Sequence, residues 1–432
     1  MLYKIAYFQI PEKDNARKIF FTNGIEYGIL IFRKIRKGDE CMQFIRSAEL
    51  RPGLRIAKPI YNKDGVLLYE RNSRLTIPAI NSIRNFDLIG IYILEPAEPV
   101  PPFTREDLEF EQAQTVYLFK LKDLYEKIHK RLPLNTLEPL VEDVIKRYGN
   151  LTYRVNFNQN LRSAHDFMYK HATSVSILTA MIGQHIDMSE DDFKSLITAA
   201  LLYGFGYRFL SKNVMDKDEE FTEYDTKSKQ AALEKGANYL NVSTDPISFL
   251  PKALRVIEYY ILSSNPERKI DHPTEDVLLL AEILKVAVEF DLMTGMIMGH
   301  KPESEIIAMN SLHERKGEFN ETIVHILAQC IHIVPAGASV DLNTGEKAVV
   351  LAENQKNYMQ PVILRLRDNN VYDLSDPTVN RRLQIVDIMK TMDNRIEIDV
   401  DTIKQFKADK RIIEMTQKYK DNRDNALNQK KS

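Results

Sequence analysis

Apolar positions change period along this 432-residue chain, and each change marks a different kind of structure. Residues 1–45 hold two strand-like runs, IAYF at 5–8 and YGILIF at 27–32, separated by a charged stretch. Residues 51–94 continue with short β runs, an Asp64-Gly65 turn and a helix after Thr76. EPAEPVPPF at 95–103 places four prolines in nine positions, an extended and semi-rigid boundary. Beyond it the period lengthens to that of a helix. Thr104 with Asp107 three residues on predicts a capping box opening a long helix. A second helix follows Asn135, with Pro139 tolerated in its first turn. Leu137, Val141, Val144 and Ile145 fall on one stripe of that helix, which would pack on the helical body or on a second chain, as in a homodimer.

Residues 169–202 read as two amphipathic helices, and the helical core extends over about 158–332, with helix-period patterns at 192–202, 248–262, 276–298 and 320–331. At 333–374 the period returns to two, with turns at Asn343-Thr344-Gly345 and Asn369-Asn370, predicting a small antiparallel appendage. The last residues are polar and helical at best. The fold class is therefore mainly α, with small β-rich modules at the N- and C-terminal ends. The domain reading is a β-rich module over 1–96, a linker and connecting helices over 97–150, a helical domain over 151–334, a β-rich extension over 335–400 and a polar tail over 401–432.

Composition narrows the function classes. Lys and Arg number 59 against 61 acidic residues, so no global field points to nucleic acid or an anionic membrane. Cys41 and Cys330 are the two cysteines and lie far apart, which argues against a disulfide framework or a thiolate zinc site. No apolar run approaches a bilayer span, and the N-terminus carries no signal-like apolar segment, so a cytoplasmic location is expected.

The run YKHATSVSILTAMIGQHIDMSEDDFKSLITAALL at 169–202, followed by LLYGFGY at 201–207, resembles the opening of the HD-GYP family. Those proteins are metal-dependent phosphodiesterases that hydrolyse the bacterial second messenger cyclic di-GMP. The resemblance covers about residues 51–374 and includes VAVEFDLMT at 286–294, the closing helix within 317–335 and the β extension. It implies an HD-type helical domain and a binuclear metal site. His171 matches the first histidine ligand. The adjacent His-Asp pair expected next is replaced by Tyr203 and Gly204, and the family's lysine by Tyr207. Ala232 stands at the position of a later histidine, four residues before Gly236. Val288 stands where an aspartate ligand belongs, while Asp291 keeps a second aspartate in a structural hydrogen-bonding role. Phe167 occupies the place of an extra carboxylate found in some members. Neither 258–264 nor 265–273 supplies the tandem histidines, with only Glu267 and Arg268 echoing the signature.

A binuclear centre needs about six to eight imidazole and carboxylate ligands, and here one survives. No bound metal or cofactor is expected. The resemblance thus implies a pseudoenzyme, a catalytically inactive signalling protein that works by binding, foremost a partner protein. A second reading makes the former cleft a sensor of cyclic di-GMP or another nucleotide, with Arg268, Tyr203 and Tyr207 as phosphate and base contacts. Against it stands simple filling by Tyr203 and Tyr207 of the volume the metals would have taken. A third is residual metal-dependent phosphodiesterase activity. His185, fourteen residues after His171, carries no ligand set of its own. MTGMIMG at 293–299 reads as core. GFGY at 204–207 lacks the lysine and the strand-to-helix setting of a phosphate loop.

Overall fold

The computed structural model describes residues 43–86, 88, 90–94, 104–157, 160–163, 165–211, 223–240, 247–263, 272–296 and 302–388. All lie in the second of two compact units, Glu40–Ser432. The runs at 5–8 and 27–32, the proline-rich boundary, Cys41, Arg268 and the polar tail fall outside the described residues.

The N-terminal module is built from β1 (Gln43–Arg46), β2 (Arg55–Ile56), β3 (Ile60–Tyr61), β4 (Leu67–Tyr69), α1 (Ile77–Asn85) and β5 (Gly90–Leu94). Strands β1, β5 and β2 form one antiparallel sheet with β5 central, and β3 and β4 form a separate hairpin. The predicted Asp64-Gly65 turn closes that hairpin, with Gly65 at φ +77°, where a side chain would be strained. Helix α1 starts where Thr76 Oγ1 accepts from the Ala79 amide, and its buried Ala79, Ile80 and Ile83 face a core with Leu50, Ile56 and Ile93.

The helical body begins with α2 (Arg105–His129), whose predicted capping box is present in both directions. The Asp107 amide donates to Thr104 Oγ1 at 3.1 Å, and the Thr104 amide donates to Asp107 Oδ2 at 2.7 Å. Helix α3 (Leu137–Tyr148) buries Leu137, Val141 and Val144 of its stripe completely and Ile145 in part, packed against the helical core. Next come α4 (Phe167–Gly183), α5 (Glu190–Leu202), a 3-10 turn (Tyr203–Phe209), α6 (Glu223–Leu240), α7 (Leu250–Ser263), α8 (Glu275–Thr294), α9 (Glu305–Glu314) and α10 (Glu321–Cys330). Helix α9 had no sequence expectation. Helix α8 stops at Thr294, short of the expected 298, because Gly295 turns the chain out of the helix at ψ 130°.

Helix α4 is not amphipathic as the sequence suggested. Fifteen of its seventeen residues are buried, because α2, α3, α5, α8 and α10 pack around it. Two of its hydroxyls are absorbed locally: Ser176 donates to the Thr173 carbonyl and Thr179 to the Ser176 carbonyl. A helix enclosed on every side loses the polar stripe that gives a surface helix its period.

The C-terminal strands β6 (Ser339–Leu342), β7 (Lys347–Ala352), β8 (Val362–Arg365), β9 (Asn370–Asp373) and β10 (Ile385–Ile388) form one antiparallel sheet in the order β10-β6-β7-β8-β9, with a short helix α11 (Pro377–Asn380) before the last. Both predicted turns are in place, with Gly345 and Asn369 at positive φ. The sheet is more than an appendage. Val340, Leu342, Val350 and Ile363 belong to the same continuous core as the helices.

Candidate functional site

Residues 160–163 run between the N-terminal module and the helical body, and they set up the centre. The Leu161 amide donates to the Tyr92 hydroxyl of β5 at 2.6 Å, while Lys170 on α4 donates to the Leu161 carbonyl at 2.6 Å. Asn160 donates to Glu111, and Glu111 pairs with Lys58 of the module at 2.5 Å, both side chains under 10% exposed. Between these anchors, Arg162 is driven inward.

Arg162 is 1% exposed and forks onto Asp291 of α8, Nη1 to Oδ2 at 2.6 Å and Nη2 to Oδ1 at 2.7 Å. This bidentate geometry is the strong form of the arginine–carboxylate pair. A third donation reaches Ser174 Oγ at 3.2 Å. Gly295 makes room for the guanidinium: a Cβ there would stand 2.9 Å from Nη1 and 2.7 Å from the Asp291 carbonyl.

Asp291 also takes His171 Nδ1 at 2.5 Å, and the other ring nitrogen, Nε2, is met by the hydroxyl of Tyr203. Burial works against the Asp291 carboxyl ionising, but the Arg162 charge and the bonds from His171 and Arg162 hold its pKa below the usual carboxylate range. Burial lowers the pKa of His171 despite the bond from Asp291. Tyr203 is pushed well above its ordinary value, chiefly by burial. These directions assign the protons. Asp291 is charged, neutral His171 donates from Nδ1 to it, and the Tyr203 hydroxyl donates to Nε2.

Aromatic rings enclose the imidazole. Phe167 stacks on it with centroids 5.1 Å apart and planes at 19°, and Tyr203 and Tyr207 meet it edge-on at 5.6 and 5.8 Å. Tyr203 and Tyr207 are 1% and 5% exposed. Both therefore fill space around His171, and neither ring is open to solvent. The 3-10 turn that carries them packs against α6 through paired glycines: a Cβ on Gly206 would stand 2.6 Å from Leu233 Cα, and one on Gly236 would collide with Gly206 Cα.

The positions read from the sequence as lost metal ligands are buried in the core. Ala232 is 5% exposed and Val288 1%, and Gly204 lies buried beside Tyr207 and Tyr125. Among the described residues no group of three or more His, Cys, Asp or Glu side chains could hold a metal ion. Among the described residues the donor set does not fit a binuclear metal: one imidazole with both nitrogens engaged, one carboxylate clamped by arginine, and otherwise alkyl and phenol groups. Asp166 is spent on the Ser163 amide and Lys170. Sequence reasoning missed Arg162. Nothing in its local pattern separates it from a surface arginine, and its partner is 129 positions away.

His185 lies beyond the end of α4, exposed, and does not meet His171. It lines a different cavity of about 580 Å³, with Arg154, Gln184, Gln329, His332 and Gln355 among its walls. There His332 Nδ1 is held by the buried Glu353 at 2.7 Å, and Arg154 is committed to the carbonyls of Gln329 and Gln355. Among the described residues no helix is long and apolar enough to cross a membrane.

No protein-family model matches the chain, and no curated protein matches it. Among solved structures it is similar to Bd1817, a HDG"Y"P protein from Bdellovibrio bacteriovorus, at 15% sequence identity and a TM-score of 0.39, over 66% of this chain and 98% of that one. A likeness at that level says nothing of what the chain binds or does.

Proposed function

We propose that the chain is a non-catalytic signalling protein that acts by binding, foremost to a partner protein. The observation that carries this reading is the double engagement of His171. The nitrogen that would face a metal accepts a hydrogen bond from Tyr203, and the other is tied to an Arg162–Asp291 pair. Metal-assisted hydrolysis needs a bound ion to generate hydroxide and to neutralise phosphoryl charge. A centre of alkyl, phenol and arginine groups is built to hold the helices in one arrangement instead.

Two measurements on the purified protein test it. Elemental analysis should find no stoichiometric iron, manganese or zinc after purification in their presence. Cyclic di-GMP incubated with manganese or iron should be recovered unchanged by chromatography. Metal-dependent turnover would overturn the reading. Affinity capture of a specific partner, competed by the untagged chain, is the expected positive result.

A further inference from the structure

The cavity of about 580 Å³ lies toward the other end of α4 from the buried centre. Met181, which borders it, follows His171 by three turns of helix, about 15 Å along the axis. A space of that volume suits one small molecule. Its floor is apolar: Val155, Met181 and Cys330 are 6%, 1% and 4% exposed. Burial pushes the Cys330 thiol up to about 12, and Sγ donates to the Met181 carbonyl at 3.2 Å, so this cysteine serves as packing and not as a nucleophile.

The walls are fixed by the chain itself. The Val155 amide donates to the Cys330 carbonyl and the His332 amide to the Val155 carbonyl, each at 3.0 Å, which pins Val155 beside the end of α10. Asn156 is held by Asp107, and His332 Nδ1 by Glu353, which leaves Nε2 as the ring nitrogen open to a ligand. The side-chain amides of Gln184 and Gln355, one half-buried and one exposed, also border the cavity. Each amide offers a donor and an acceptor side by side, a pattern that two neighbouring hydroxyls complete.

Charge is matched within this lining. Arg154, its single Lys or Arg, gives Nε and Nη2 to the carbonyls of Gln329 and Gln355 and stands 3.9 Å from Glu353. Glu106 and Asp107 lie in the first turn of α2, where the helix amides favour carboxylates. An anion would find no surplus cation here, and a wholly apolar ligand would leave the amides without partners.

We propose that this cavity binds a ligand carrying an uncharged sugar ring. The C–H face of such a ring packs on the apolar floor, and its vicinal hydroxyls bond with the amides of Gln184 and Gln355 and with His332 Nε2. A free saccharide and a nucleoside both present that ring. The site shares no residue with the buried centre, so it stands independently of the non-catalytic reading.

The probes are glucose and adenosine, each compared with its phosphate ester and titrated into the full chain. Saturation-transfer NMR should show transfer to the ring protons of a neutral probe, and the same probe should raise the melting temperature. Preference for glucose or for adenosine tells a saccharide ligand from a nucleoside. Gln184→Ala and Gln355→Trp change side chains that solvent reaches, so the fold should be kept. Each should weaken binding about tenfold, the first by removing two hydrogen bonds and the second by filling the space. The phosphate esters should bind no more tightly than the neutral probes. Absence of transfer to both neutral probes, an affinity unchanged in either variant, or tighter binding of a phosphate ester overturns the proposal.

Discussion

The hydroxyl of Tyr203 donates to Nε2 of His171, so the chain's own side chain occupies the direction from which an imidazole usually grips a metal. Tyr203 lies in the turn after α5 and His171 on α4, and the bond ties those two elements at the middle of the helical body. Arg162, Asp291, His171 and Tyr203 form one linear chain of hydrogen bonds, each member at most 1% exposed. A buried polar chain in which each of these bonds is made holds a fold to one arrangement; broken at one point, it is a liability.

Replacing Tyr203 with Phe keeps the ring and removes the donor. His171 Nε2 is then left buried without a partner, and stability should fall by about 1–3 kcal/mol. Urea unfolding monitored by circular dichroism measures it, with an unchanged slope expected because little surface changes.

Arg162→Met strands the Asp291 carboxylate in the core and should cost about 3–5 kcal/mol. Adding Asp291→Asn removes the stranded charge, so the double variant should be less destabilised than the sum of the two single changes. Strict additivity in the double-mutant cycle would mean that the two groups do not interact.

Because burial depresses the pKa of His171, stability should depend on pH in a defined direction. The unfolded chain takes up a proton as pH falls through about 6.5, while the folded chain holds His171 neutral, so stability rises with pH across that window. Going from pH 6.5 to 5.5 should therefore lower stability through this residue. Asp291 works at lower pH: its depressed folded pKa gives stability present above the unfolded carboxylate value near 3.9 and lost as pH falls below it. His171→Gln should flatten the slope between pH 7.5 and 5.5 but leave the acid limb in place; an unchanged slope would place the titration elsewhere.

Gly236→Ala tests the seat of the turn. The added methyl meets the backbone of Gly206, which cannot rotate away, so the turn must lift from α6. The expected loss is about 1–3 kcal/mol, as for overpacking in a close-packed core, with faster proteolysis near residues 203–209. The same change at Gly204, where a Cβ would meet only ordinary contacts at 3.6 Å and beyond, should be far milder.

The sequence made the local devices legible. Thr104 and Asp107 announced the start of α2, Asp64-Gly65 the first hairpin, and Asn369 the β8–β9 turn, because each is written within four residues. His171 and Asp291 were singled out through order and spacing along the helices, and the structure brings the two into contact. Arg162 was not, since its role depends on a partner far along the chain and on the space left by Gly295. The enclosure of α4 was hidden as well, because a fully surrounded helix has no polar face to give its period away.

The spacing of the central chain of bonds also carries a kinetic consequence. Arg162 and His171 reach Asp291 across 129 and 120 positions, and Tyr203 reaches His171 across 32. Contacts of such separation form only after the intervening chain has been gathered, at the expense of loop-closure entropy. The network then completes late, and its substitutions should act mainly on the rate of unfolding and little on the rate of folding. The buried centre of the helical body thereby sets how long the folded chain persists.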